Sequence, residues 1–226
     1  MKTKIAAVLT AMLAATSFAE WIPVMVSLVT PVQAPFRNYD VTGFRLSLLY
    51  GDCHDFTGLD IGVAQRTAGD FAGLGIGGVN IAGGQLYGGQ VGLVNWNSNG
   101  KTPWEERSIG AQIGVINSSA VFCGLQEGLI NFSADLFTGI QSGLFNRSGS
   151  LTGWQCGLIN TSDSLFGLQC GPLIVFGVNT ASVVNGCQIG LVNYANTMEN
   201  GVQIGIVNII ARNGWVPVLP LINGGF

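Results

Sequence analysis

The single histidine of the chain, His54, lies in the run Gly51-Asp52-Cys53-His54-Asp55, which sets a thiol and two carboxylates beside an imidazole. A thiol next to an imidazole can serve as a nucleophile, and Cys, His and Asp together can hold a metal. No second ligand cluster closes a shell around this run and no Ser-His-Asp set exists beyond it, so it reads as a solvated turn. The five cysteines, Cys53, Cys123, Cys156, Cys170 and Cys187, form no CxxC pair and no zinc spacing. Four of them fall at or beside strand positions that carry Leu, Ile or Val elsewhere, which reads as small hydrophobes; the odd count leaves a disulfide framework with one thiol over. Gly73-Leu-Gly75-Ile-Gly77-Gly78 has the density of a phosphate loop, but neither a helix pattern nor Lys-Ser/Thr follows. Asp60 and Glu127 lie in distant repeat units and make no carboxylate pair for glycoside chemistry; Glu127 is odd among the aliphatic positions around it. The expectation is a non-enzymatic protein without metal or cofactor.

One segment is built for recognition rather than reaction. Trp96-Asn-Ser-Asn-Gly-Lys101-Thr-Pro103-Trp104-Glu-Glu-Arg107 interrupts a regular pattern and concentrates charge and two tryptophans. Loops on rigid scaffolds often carry binding, and Trp and Arg are common anchors. Trp96, Lys101, Trp104 and Arg107 are therefore the candidate binding loop, against the plainer reading of a tolerated surface insertion. The second insertion, Pro172 to Val184, is aliphatic and reads as local packing.

The pattern these segments interrupt is an internal repeat, Gly-x-Gln-x-Gly-Leu-x-Asn. Its first glycines stand at 43, 58, 73, 88, 110, 124, 139, 153, 167, 186 and 201, in steps of 14 or 15 residues except for two of 22 and 19. The third position carries Gln90, Gln112, Gln126, Gln141, Gln155, Gln169, Gln188 and Gln203. The eighth carries Asn95, Asn117, Asn131, Asn146, Asn160, Asn193 and Asn208. In the unit that begins at Gly167, the eighth position is Ile174, which puts regularity in doubt there. Positions two, four and six are mostly aliphatic, and one, three and five are Gly, Gln and Gly. A period of two means an extended strand with unlike faces, one aliphatic and one flat with a single amide. Small polar residues after the Asn read as a turn and a short returning strand.

A unit of this size cannot bury its aliphatic face alone, so the units must stack. The spacing predicts an all-β chain: a parallel β-solenoid of about ten to eleven coils of 14–15 residues, roughly 50 Å long at ~4.8 Å per rung. Gln would then lie over Gln and Asn over Asn in side-chain ladders. Close approach of another backbone, or a thin coil interior, would account for the glycines. The alternative is an antiparallel outer-membrane β-barrel, a pore or anchor with one strand per unit. Nearly uniform connection lengths, and a motif whose Asn always sits at the same strand end, count against it.

The ends complete the organisation. Residues 1–19 read as a signal peptide, with Lys2 and Lys4, an apolar stretch from Ile5 to Ala15, and Ser17-Phe18-Ala19 before Glu20. Residues 20–42, with Pro23, Pro31 and Pro35, read as an N-terminal cap; 43–213 form the repeat domain, and 214–226, with Pro217 and Pro220, a C-terminal cap. Export to the periplasm, outer membrane or cell surface follows from this leader. Without it the chain holds seven basic and twelve acidic residues, with Lys101 the one lysine, which argues against nucleic acid as a partner. So low a charge density suits a chain that sits against a membrane, a polymer, another protein or copies of itself.

The run Gly43-Phe-Arg-Leu-Ser-Leu-Leu-Tyr50-Gly51, the array of Gly-x-Gln-x-Gly-Leu-x-Asn units and the terminal Pro217-Val-Leu-Pro220-Leu-Ile-Asn223 resemble a family of bacterial surface-repeat proteins from spirochaetes and gut bacteria. The likeness covers nearly all of the chain after the leader. It implies export and a surface or outer-membrane setting. It implies no activity and carries over no functional residue. The role expected of a rigid exported solenoid with a flat face is, separately, structural or binding, on an envelope component, polysaccharide or protein.

Overall fold

A computed structural model describes residues 22–98, 107–173 and 176–226, and no helix occurs among them. The leader, Lys101, Trp104 and Ile174 lie outside the described residues. The chain forms two compact units, Met1–Asn99 and Gly100–Phe226.

The first unit contains β1 (Ile22–Val29), β2 (Val32–Ala34), β3 (Val41–Cys53), β4 (Phe56–Thr67), β5 (Phe71–Ala82) and β6 (Leu86–Asn97). From β3 onward the neighbours are parallel and stacked glycine over glycine, Gly43 on Gly58, Gly58 on Gly73 and Gly73 on Gly88. At the start of this stack, β1 pairs in parallel with β3 and β2 folds back antiparallel on β1. The segment read as a cap thus contributes a strand to the stack before it blocks the edge.

The second unit contains β7 (Ser108–Ser142), β8 (Phe145–Cys156), β9 (Ile159–Cys170), β10 (Val178–Ile189), β11 (Val192–Arg212) and β12 (Val218–Gly225). Gly139, Gly153, Gly167, Gly186 and Gly201 again stack in parallel register. β12 closes the end antiparallel on β11, with Asn223 opposite Gln203. Both units are therefore parallel β-solenoids. The antiparallel barrel is overturned, because antiparallel pairing among the described residues is confined to β1–β2 and β11–β12.

The interior differs from the expected one. Stacking does not bury the aliphatic face; the amide face lies inside. Gln126, Gln141, Gln155, Gln169, Gln188 and Gln203 are fully buried, whereas Leu129, Leu144 and Ile206 at the sixth position are about half exposed. The coil is too narrow to hold an aliphatic layer from every strand. Its apolar filling comes instead from one column two residues before the first glycine, including Phe56, Phe71, Leu86, Phe122, Phe137, Leu151 and Leu165. Within it Phe56 stacks on Phe71 at 5.3 Å between ring centres and Phe122 on Phe137 at 6.0 Å. In each of these pairs one ring covers the other and adds a stacking contact to the apolar area it buries.

Glycine at the first position has a geometric cause. Ten of these residues, from Gly43 to Gly186, have φ between +125° and +152°, which residues with a Cβ rarely adopt. A Cβ would also strike the carbonyl oxygen of the glycine in the preceding coil at Gly58, Gly73, Gly88, Gly124, Gly139, Gly153, Gly167 and Gly186, and that of Pro23 at Gly43.

Candidate functional site

Two amide ladders run through the interior of the second unit, and they point in opposite directions. Gln126 donates through Nε2 to Oε1 of Gln112 at 2.8 Å, Gln141 to Gln126 at 2.7 Å, Gln155 to Gln141 at 2.7 Å and Gln169 to Gln155 at 2.9 Å. Gln188 and Gln203 continue the series, every bond passing hydrogen toward the N-terminus. The asparagines pass it the other way. Asn117 donates through Nδ2 to Oδ1 of Asn131, Asn131 to Asn146, and Asn146 to Asn160, at 2.8–2.9 Å. With donors opposed, the amide dipoles of one column offset those of the other.

Each amide has a second hydrogen, and for most of them the sequence places an acceptor. Gln126, Gln155 and Gln169 donate to the hydroxyls of Ser119, Ser148 and Ser162, all at 3.1 Å. Asn131 and Asn146 donate to the carbonyls of Ser142 and Cys156, at the fourth position of the next coil. The fifth-position glycine makes room for that reach, since a Cβ on Gly143 would lie 2.7 Å from Nδ2 of Asn131. The buried serines were missed from sequence, although a small hydroxyl residue two places after the Asn recurs in view.

The doubtful coil is regular. Asn160 donates to Asn179 at 2.8 Å, and Asn179 to Asn193 at 2.8 Å. The extra residues lie between Gly171 and Val178, so Asn179 takes the eighth place that counting gave to Ile174. Their described side chains do not pack inward: Leu173 is 46% exposed and Phe176 75% exposed. The span read as an insertion, Pro172 to Val184, therefore divides: its start is exposed, while Ala181 and Val184 in β10 are buried in the core.

In the first unit the third position holds charges. Arg45 and Asp60 meet in a fully buried ion pair, and Arg45 also donates to the Cys53 sulfur at 2.8 Å and the Arg66 carbonyl at 2.9 Å. Its guanidinium lies 4.9 Å from the centre of the Phe56 ring. Burial alone would lower the Arg45 pKa, but the hydrogen bond and charge of Asp60 outweigh it and hold the guanidinium charged. Burial raises the Asp60 carboxyl, with Arg45 pulling it back. Burial likewise raises the Cys53 thiol to about 11. In the eighth-position column of the same unit, Asn80 donates to Asn95 at 2.8 Å.

The Asp52–Asp55 run splits accordingly. Asp52 and Cys53 are buried, so they are not part of a solvated turn, whereas His54 is exposed. Ligand atoms of Asp40, His54 and Asp55 lie within 4.8 Å of one another. The same carboxylates serve the backbone: Asp40 accepts from the amide of Asp55 at 3.2 Å, and Asp55 from that of Asp70 at 2.8 Å. All five cysteines are free thiols.

Of the candidate loop, Trp96 ends β6 with its side chain 48% exposed, and Arg107 is half-buried just before β7. Asn97 closes β6 and is buried, Ser98 is exposed, and residues 99–106 lie outside the described residues.

The surface that faces outward is aliphatic. Positions two and four point out, and then Leu144 and Phe145, at six and seven, are both exposed, where Gly143-Leu144 separates β8 from β7. Two successive outward residues mean that the chain turns a corner there. The apolar surface therefore continues from one face of the coil onto the next. Among the described residues Glu127 is the one charge at positions two, four, six or seven, and it is exposed, which removes its oddity. Other surface charges, such as Arg66, Asp70, Asp135, Arg147 and Asp163, stand at position nine or in the residues between it and the next unit, Asp135 within β7 and Asp163 within β9.

No family model matches the chain, and neither a curated protein nor a solved structure does.

Proposed function

We propose that this chain is an exported, non-enzymatic scaffold with a binding role at the cell envelope, working through its aliphatic outer face. One observation carries the reading: the amides are inside and the aliphatics outside. A protein surrounded by water gains nothing from about half-exposed Leu and Ile repeated coil after coil, and apolar patches of that extent mark interaction surfaces. The amide ladders keep the coil rigid without drawing on those side chains, so the outer face is left for a partner. The leader-like N-terminus and the resemblance to surface-repeat proteins support the envelope as the place. The scarcity of residues able to exchange protons, with one histidine in the chain, supports a role without chemistry.

Fractionation of cells producing the full chain tests this. The expected result is recovery in the envelope fraction of a chain whose mass begins at Glu20. A chain retained in the cytosol with Met1 intact would overturn export. Export followed by release into a soluble fraction would overturn binding at the envelope.

A further inference from the structure

Cys156 and Cys170 match no ligand spacing along the chain, yet stacking makes them neighbours. β8 and β9 run parallel with Cys156 directly opposite Cys170, Ser142 preceding them in the same column and Ile189 following. Both are free, half-buried thiols. They open on one shallow hollow of about 370 Å³, walled by Leu144, Leu158 and Pro172. The rung between them is held on every side. Gln155 and Gln169, one residue earlier, are bonded at 2.9 Å. The carbonyls of Cys156 and Cys170 accept from Asn146 and Asn160 at 2.9 and 3.0 Å, and the Gly157 amide donates to the Cys170 carbonyl at 3.0 Å.

This spacing decides between the two things that neighbouring thiols do. In-register side chains on parallel strands keep the rung distance, ~4.8 Å, from Cβ to Cβ. A disulfide needs those atoms about 3.5–4.5 Å apart. Two metal–thiolate bonds of ~2.3 Å, the zinc value, laid end to end span ~4.6 Å. A two-coordinate ion therefore bridges sulfurs in matching rotamers without moving the coils.

We propose that Cys156 and Cys170 bind one soft monovalent metal ion, of the copper(I) class, held in line between their sulfurs. Thiolates select copper(I), whose filled d shell accepts two ligands, whereas a structural zinc takes four. Binding releases both thiol protons: two RSH and Cu⁺ give RS–Cu–SR⁻ and two H⁺, with no change of oxidation state. Burial raises the Cys156 thiol and the charge of Cys170 raises it further, so paired thiolates repel until a cation lies between them. The apolar walls restrict water and competing ligands. Cys187 stands opposite Leu168 on the following rung, about 7–8 Å diagonally from Cys170, and is not a ligand. The site goes beyond the envelope reading, which does not depend on it.

Anaerobic titration of the purified full chain with copper(I), supplied as its acetonitrile complex in competition with bicinchoninate, tests the proposal. One ion per chain is expected, with two protons released and two sulfur neighbours in X-ray absorption. Cys156→Ser and Cys170→Ser should each weaken binding by more than ~100-fold, beyond what a lost supporting contact costs. Serine already fills this column at Ser142, so their circular dichroism should match the parent. Cys123→Ser with Cys187→Ser should bind as the parent does.

Absence of binding, affinity unchanged in either serine variant, or a third sulfur neighbour that Cys187→Ser removes would overturn the pair as the site. So would a Cys156–Cys170 disulfide in the chain purified in air, since the sulfurs would then approach more closely than the rung allows.

Discussion

Arg45 and Asp60 face each other inside the first unit at the level where later coils carry glutamine, each side chain 1% exposed. A buried ion pair is costly to break on one side, because the remaining charge keeps its desolvation penalty without its partner. Arg45→Gln and Asp60→Gln are each expected to destabilise by about 3–5 kcal/mol. The double substitution should recover most of that loss, since two stacked glutamines reproduce the chemistry of the coils above. Urea unfolding of the four proteins as a cycle checks this, and a double variant no better than the weaker single would count against it.

Cys53 supplies a pH signature. Its folded-state pKa is raised from the ordinary 9.0 to about 11 because the thiol is buried. A raised folded value means stability that is intact below 9.0 and lost as pH climbs through about 11. The loss amounts to about 2–3 kcal/mol. Cys53→Ala should flatten this part of the alkaline limb when stability is followed by denaturant titration between pH 8 and pH 11, the window set by thiol ionisation. An unchanged limb would show that the thiol does not contribute.

The glutamine ladder should be worth more in its middle than at its end. Gln155 lies between Gln141 and Gln169, bonded to both. Gln155→Ala would leave two buried polar atoms unmatched, at about 1–3 kcal/mol each. Gln203 already has an Oε1 without a partner, so within the ladder Gln203→Ala strands the acceptor on Gln188 and no donor. Thermal melts should place the Gln155 variant at about twice the loss of the Gln203 variant. Equal losses would mean that the amides do not act through one another.

The glycines should divide by what lies above them. Gly143→Ala pushes a methyl against Nδ2 of Asn131 and a neighbouring carbonyl, with a cost of about 3 kcal/mol or more expected from a displaced buried bond. At Gly75 the nearest atom to an added Cβ is the Phe71 ring at 3.3 Å. Gly75→Ala should therefore be neutral or stabilise by up to about 1 kcal/mol through the unfolded chain. Paired melting curves distinguish the two, and a Gly75 loss matching that at Gly143 would contradict the assignment.

The fold was legible because its determinants repeat. Gln and Asn recur at fixed spacing, and an amide is the side chain that can both give and receive along a stack. What the alternation could not disclose was which face turns inward, since a period of two is the same for either. The deciding residue lies outside the motif: the Phe or Leu two places before the first glycine fills the bore and leaves no room for a second apolar layer. Asn179 escaped notice because an insertion moved it from its expected count. The Arg45–Asp60 pair was in sight at the third position, but two unlike residues in weak copies gave no hint of contact until their coils were stacked.

The opposed amide columns also bear on how such a chain could change over generations. Within the run from Gln126 to Gln188, each coil of the second unit offers its neighbour an acceptor in one column and a donor in the other, and meets the same offer from the opposite side. Unequal recombination that drops or doubles one coil would therefore rejoin matching sockets and orphan no amide. Coil number in the second unit is then free to drift while β12, antiparallel on β11, stays fixed as the stop against which interchangeable parts are threaded.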